Sequence, residues 1–204
     1  MSPSDKGETA GAASLLERYV EAKDLVRPQL MQDIYTPDAV LTFSIATDAI
    51  AFPAKVVGRE ALTQTLVVDF AERFDSCRTY YVTSARPAIA DATPARPAMQ
   101  ATLSIPWLVL MRETATTSMR IGKGFYRWSF AREPVLRVEA MHIHIERMDP
   151  IPDADGALLR AAQSRLPYPW LAPVVLHDDF SRHVESDTAL AFLQNFEWPI
   201  PVSA

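Results

Sequence analysis

The chain of 204 residues has one cysteine, Cys77, so no disulfide can form within it and nothing points to an oxidising compartment. It has no excess of positive charge. Its 20 Lys and Arg stand against 25 Asp and Glu, and a formal net charge of −5 argues against a surface built to hold nucleic acid or an anionic membrane. Long apolar runs are missing too: the densest, around residues 105–111, is far too short to cross a bilayer. The opening MSPSDKGETAGAAS lacks the basic-then-apolar pattern of a secretory signal. No Gly-rich phosphate loop, serine-nucleophile elbow or zinc-ligand spacing occurs. These absences leave a cytoplasmic globular protein of one domain, or one domain plus a tail, with no cofactor and no metal expected.

What is present is organised around residues 119–148, MRIGKGFYRWSFAREPVLRVEAMHIHIERM. This stretch predicts two long antiparallel strands joined at Arg132-Glu133-Pro134. With a period of two, Leu136, Val138, Ala140, His142, His144 and Glu146 share one face of the second strand. That face is apolar early on and is expected to point inward. Met141, Ile143 and Ile145 make the opposite face apolar later. Either a bulge swaps the faces, or a C-terminal segment or partner subunit covers the outer one.

Residues 1–13 read as a disordered start, and Ser14 can cap a helix from about Leu15 to Val26. A short helix from Pro28 to Tyr35, a strand over 40–45 and a hairpin partner at 54–57 follow. Leu62, Leu66, Phe70 and Phe74 recur every four residues and predict a helix over 59–74. Strands are expected at 78–85 and 103–116, separated by a Pro/Ala loop at 86–98, and Pro106 implies an edge or a bulge. After residue 148 the composition changes, with helices at 153–166 and 186–196, and extended chain at PYPWLAP (167–173) and the final EWPIPVSA. The fold class is therefore α+β: a curved antiparallel sheet around N-terminal helices, forming a cone with a pocket. Residues 14–148 would form the cone, and 149–204 an arm packed on it or on a dimer partner.

Three stretches carry a resemblance: RYVEAKDLVRPQLMQDIYTPDAVLTF at 18–43, VVGREALTQTL at 56–66, and GFYRWSFAREPVLRVEAMHIHIER at 124–147. With these the chain resembles the SnoaL-like branch of the nuclear transport factor-like superfamily. The resemblance implies a pocket between helices and sheet, and a homodimer through the sheet's outer face. It spans dehydratases, isomerases, cyclases, epoxide hydrolases and non-catalytic subunits, so it does not fix a reaction. Dehydratase-like members pair an Asp near the end of the first helix with a His on a later strand. Asp24 matches the first position, but the second falls near Tyr80, where no histidine stands.

Asp24 ends an apolar helix stripe, where burial and the negative helix end would both move it toward acid–base range. His142 and His144, on the face expected to point inward, suit proton transfer at neutral pH. Together with Glu146 they also form a candidate metal pattern, but no further ligand stands at cupin-type spacing. Tyr19, Tyr80, Trp107 and Tyr126 are expected to line a ligand pocket with polar tips. KGFYRWSF at 123–130 superficially resembles an RNA-recognition strand, but Tyr126 and Arg127 break the motif. The expected partner is a small apolar or aromatic molecule, with neither nucleic acid nor membrane. The function expected is a lyase or isomerase using His/Asp acid–base chemistry. The alternative is a non-catalytic ligand-binding or dimerisation module of the same fold.

Overall fold

A computed structural model describes residues 4–87, 101–131, 135–186 and 188–196. The turn at 132–134, the final EWPIPVSA stretch, and all but the first two residues of the Pro/Ala loop lie outside them.

Helix α1 (Ser4–Asp24) starts ahead of the Ser14 cap and contains most of the expected helix. A 3-10 turn (Pro28–Leu30) and α2 (Met31–Ile34) follow, the turn opening on Pro28, whose missing N–H costs nothing there. Strand β1 (Tyr35–Ile45) pairs antiparallel with the short β2 (Lys55–Val57), as the hairpin reading expects. The helix predicted over 59–74 is α3 (Arg59–Thr63), a π turn (Gln64–Val68) and α4 (Asp69–Arg73) in succession. Strands β3 (Phe74–Val82), β4 (Ala101–Glu113), β5 (Met119–Ala131) and β6 (Arg137–Ile151) form the antiparallel centre of the sheet. The whole sheet has seven strands in the order β2-β1-β6-β5-β4-β3-β7, and β7 (Trp170–Leu171) is one edge. It is mixed rather than wholly antiparallel, because β1 pairs with β6 and β7 with β3 in parallel.

Pro106 sits in an interior strand, contrary to the edge-or-bulge expectation. The β3 ladder ends at Tyr81↔Trp107, so Pro106 is paired on the β5 side alone, and its missing N–H breaks no rung toward β3.

The inner face and part of the outer face are covered. The inner face packs Trp107, Val109, Tyr126, Trp128, Met141 and Ile143 against Leu16, Tyr19 and Val20 of α1 and Leu62 and Leu66 of the middle helix. The outer face packs Tyr80, Val82, Leu108, Leu110, Met119, Ile121 and Ile151 under residues from Leu159 to Phe196. Two-sided burial explains the unbroken apolar run of β4, where Trp107, Val109 and Met111 face one way and Leu108 and Leu110 the other. The covering segment is α5 (Ala157–Arg165), α6 (Pro173–Ser186) and a 3-10 helix (Thr188–Phe196). Asp153 starts α5 by accepting from Leu158 N at 3.0 Å and Leu159 N at 2.9 Å. No described helix is long and apolar enough to cross a membrane.

The face assignment of β6 needs correction. In the β5–β6 register, Phe130 pairs with Val138 and Ser129 with Ala140, so Glu139 is extra. This bulge swaps the faces. Leu136 and Val138 point inward as expected, but beyond Glu139 it is Met141, Ile143 and Ile145 that join the inner core. His142 and His144 therefore face outward, and the three apolar residues offer no dimer surface. A second bulge at Glu146, between Gly124↔Ile145 and Lys123↔Arg147, brings Met148 inward.

Candidate functional site

A cavity of about 50 Å³ lies between the helices and the inner sheet face. Its wall includes Tyr19 and Lys23 of α1, Phe70 of α4, Thr79 of β3, Trp107 of β4, Tyr126 of β5 and Ile143 and Ile145 of β6. Ile50 and Phe52, from the connection at 46–54 between β1 and β2, complete it, with Phe52 stacked on Phe43 at 4.6 Å. Tyr19 and Lys23 stand four apart on α1 and so share one helix face. Of the expected pocket residues, Tyr19, Trp107 and Tyr126 line this cavity. Tyr80 does not. It lies in the outer cluster, edge-on to Tyr168 at 5.8 Å, and burial pushes its phenol up to about 12. A period of two separates Tyr80 from its neighbours Thr79 and Tyr81, which face inward.

The wall is apolar apart from a few groups, and Lys23 is the charged residue among the described lining. Behind it lies a packed polar network. Asp24 takes Lys23 Nζ at 2.7 Å and Cys77 Sγ at 3.3 Å on Oδ1. Thr79 Oγ1 donates to the same oxygen at 3.0 Å, while Thr79 N at 2.6 Å and Tyr168 Oη at 3.1 Å donate to Oδ2. Five donors on two oxygens leave this carboxylate no free lone pair for a substrate proton. Asp24 thus holds Lys23 within this network. The strand position facing Asp24 is Thr79, one residue from the Tyr80 site that the resemblance suggested.

Burial by itself would lower the Lys23 ammonium's pKa, but the Asp24 charge beside it, helped by Cys77 and Tyr19, outweighs this and the net shift is upward. Burial, then the Asp24 charge, push the Cys77 thiol up to about 12, so Cys77 is a donor in the network and not a thiolate nucleophile. Burial also raises Tyr19, which stays a neutral phenol. Sequence reasoning missed Lys23. Its signal was the spacing from Leu16 and Tyr19, seven and four residues earlier, which continues the buried stripe.

His142 and His144 form a separate cluster on the outer face. His142 Nδ1 is 2.8 Å from Thr42 Oγ1, and its Nε2 is 2.9 Å from Ser44 Oγ, which also meets His144 Nδ1 at 2.7 Å. Phe125 stacks on His144 with ring centroids 4.8 Å apart. Among the described residues no group of three or more His, Cys, Asp or Glu is placed to hold a metal. Burial, then Arg127 and His144, lower the His142 pKa from its usual 6.5. The unfolded chain therefore takes up a proton at this site at higher pH than the folded protein. Stability should fall as pH drops from about 6.5 through the lowered folded value, and His142→Gln should flatten that part of the curve. Denaturation midpoints across this range check it; an unchanged slope in the variant would place the proton uptake elsewhere.

No family model and no curated protein matches the chain. Solved structures do. A hexachlorocyclohexane dehydrochlorinase, LinA-type3 from Novosphingobium barchaimii LL02, superposes with a TM-score of 0.58 at 15% identity, covering 74% of this chain and 94% of that one. A nuclear transport factor 2-like superfamily protein from Salmonella enterica gives 0.55 at 12% identity, with coverage of 74% and 96%. A protein named as the β subunit of an aromatic-ring-hydroxylating dioxygenase from Novosphingobium aromaticivorans gives 0.52 at 13% identity, with coverage of 71% and 92%. The chain has the nuclear transport factor 2-like, SnoaL-like cone fold.

Proposed function

We propose that this protein binds a small, largely apolar molecule in the cone cavity and acts on it by proton transfer, as a lyase or isomerase. The observation that carries this reading is the Lys23 ammonium on an otherwise apolar wall. A fixed charge in water-poor surroundings acts on a ligand far more strongly than the same charge in solvent. Asp24 orients Lys23, and Tyr19 and Tyr126 offer phenols to a substrate oxygen. His142 and His144, facing the other side of the sheet, take no part in this cavity. The fold shared with a dehydrochlorinase is compatible with such chemistry. A homodimer, which the family resemblance implies, would use the strip of outer face around Phe125, His142 and His144.

Size limits the ligand. An engineered cavity that admits benzene measures about 150 Å³, against about 50 Å³ here. At this volume the site takes only a few heavy atoms. A ring system would need lining side chains such as Ile50 and Phe52 to move aside. A graded series of small ligands should raise the melting temperature of the native protein, and Val109→Phe, which fills the cavity, should abolish the effect. Equal shifts in both proteins would mean that binding occurs elsewhere. Deuterium uptake from D2O into a bound ligand then reports the proton transfer.

The second reading is a non-catalytic binding module. The small cavity favours it, as does the fold shared with a named dioxygenase β subunit. Binding without deuterium uptake would establish it.

A further inference from the structure

We propose that the cavity ligand carries a neutral carbonyl group whose oxygen accepts a hydrogen bond from Lys23 Nζ, so that Lys23 selects and polarises that carbonyl. This rests on the cavity being the ligand site.

The argument begins with the donors of the ammonium. Lys23 Nζ has three protons. Asp24 Oδ1 at 2.7 Å and Cys77 Sγ at 3.3 Å account for two. The third has the Phe70 ring near it, with its centroid 4.7 Å from Nζ, and Phe70 and Lys23 both belong to the cavity wall. A ring face satisfies an ammonium proton less well than an oxygen does. One further donor on the same wall lacks a partner: Trp107 Nε1 is buried without a hydrogen bond, while the Tyr19 and Tyr126 hydroxyls face each other. The Lys23 ammonium and the Trp107 N–H can only donate, and each has a proton without an oxygen partner, which calls for an acceptor on the ligand.

Charge then decides which acceptor. Lys23 and Asp24 form a neutral pair, both side chains almost wholly buried. A carboxylate entering beside them would leave one uncompensated negative charge in an apolar cavity, which is costly. A ketone, ester or amide oxygen adds no charge. It accepts the third proton and leaves the pair balanced. If negative charge develops on that oxygen during a reaction, the ammonium is already in place to stabilise it. Because the Asp24 charge favours the protonated form, Lys23 carries no free lone pair to attack the carbonyl. The contact is therefore a hydrogen bond and not an imine.

The test compares matched small ligands on the native protein: 2-butanone, its hydrocarbon isostere 2-methyl-1-butene, and propionate. Affinities are read by ligand-detected NMR, and the carbonyl stretch of bound butanone by infrared difference spectroscopy. Butanone should bind about ten-fold tighter than the hydrocarbon, the gain expected of a hydrogen bond to a charged donor, with a lowered carbonyl stretch and little propionate binding. Lys23→Met alone strands Asp24, so the paired variant Lys23→Met with Asp24→Asn removes both charges together. That variant should still bind the hydrocarbon, lose the ketone preference, and show no carbonyl shift. Borohydride treatment with butanone should leave the native protein's mass unchanged. Hydrocarbon and ketone binding equally well, propionate binding best, or a trapped adduct on Lys23 would each overturn the carbonyl inference while leaving the cavity as the ligand site. If none of the three binds, the cavity reading fails along with it.

Discussion

Replacing Asp24 with alanine is expected to destabilise the fold by about 3–5 kcal/mol, the cost of stripping a buried charge of its partner. For a chain of this length that is roughly a 10 °C fall in melting temperature. The substitution strands five donors at once: the Lys23 ammonium, the Cys77 thiol, the Thr79 hydroxyl and backbone N–H, and the Tyr168 hydroxyl. The ammonium is the worst placed, because the Cys77 sulfur, Phe70 and the cavity wall are all that remain around it. Tyr168 also comes from the segment covering the outer face, so its bond to Asp24 joins that segment to α1. The exposed pair Arg18–Asp33 is the control, with side chains 47% exposed on both partners. Asp33→Ala should change stability by less than about 1 kcal/mol. Thermal and denaturant unfolding of both variants checks this. An Asp24→Ala protein as stable as Asp33→Ala would mean that the network contributes little and that Lys23 finds another way to be solvated.

Much of the cone was legible because its signals are local. Of the four-residue repeat, Leu62, Leu66 and Phe70 lie on the helical run while Phe74 opens β3, and the long hairpin around residue 133 does pair as expected, from Ala131↔Arg137 onward. What periodicity cannot show is a change of phase. One unpaired residue, Glu139, reverses the faces beyond it and moves both histidines from the cavity to the outside. The sequence carried the symptom, an apolar face that changed sides midway, but two causes fitted it equally. Helix α6 was hidden for another reason. Its apolar positions Leu176 and Phe180 recur at helical spacing, yet the run follows the Pro-rich 167–173 stretch and two apolar positions alone do not mark a helix. Lys23 was passed over because a lysine near a helix end is ordinarily solvated. Only the tertiary fold shows that this one turns into the core.

Gly124→Ala should cost more than a small residue change usually does, about 4 kcal/mol or more, and Gly124→Val should prevent folding. A Cβ at this position would run into the backbone carbonyl of His144 and come within 2.7 Å of Trp107 Cζ2. Neither neighbour can step aside cheaply. The His144 carbonyl is held by the β5–β6 ladder next to the Glu146 bulge, and Trp107 is packed against Tyr126 on the cavity wall with ring centroids 5.5 Å apart. Close approach of the two strands at Gly124 and the bulge at Glu146 therefore belong to one device. The missing side chain lets β6 press in, and the extra residue lets it turn so that Met148 rejoins the inner face. Gly122, two residues earlier, provides the contrast. Its added Cβ would lie 2.6 Å from Met148 Cε, the far end of a flexible side chain, and 3.1 Å from Val109 Cγ1. Gly122→Ala should cost markedly less, since Met148 can change rotamer. Urea unfolding of the two alanine variants side by side decides the matter. Equal, small losses would mean that β6 can retreat at Gly124, and that the inward approach of the strands does not fix the cavity's shape.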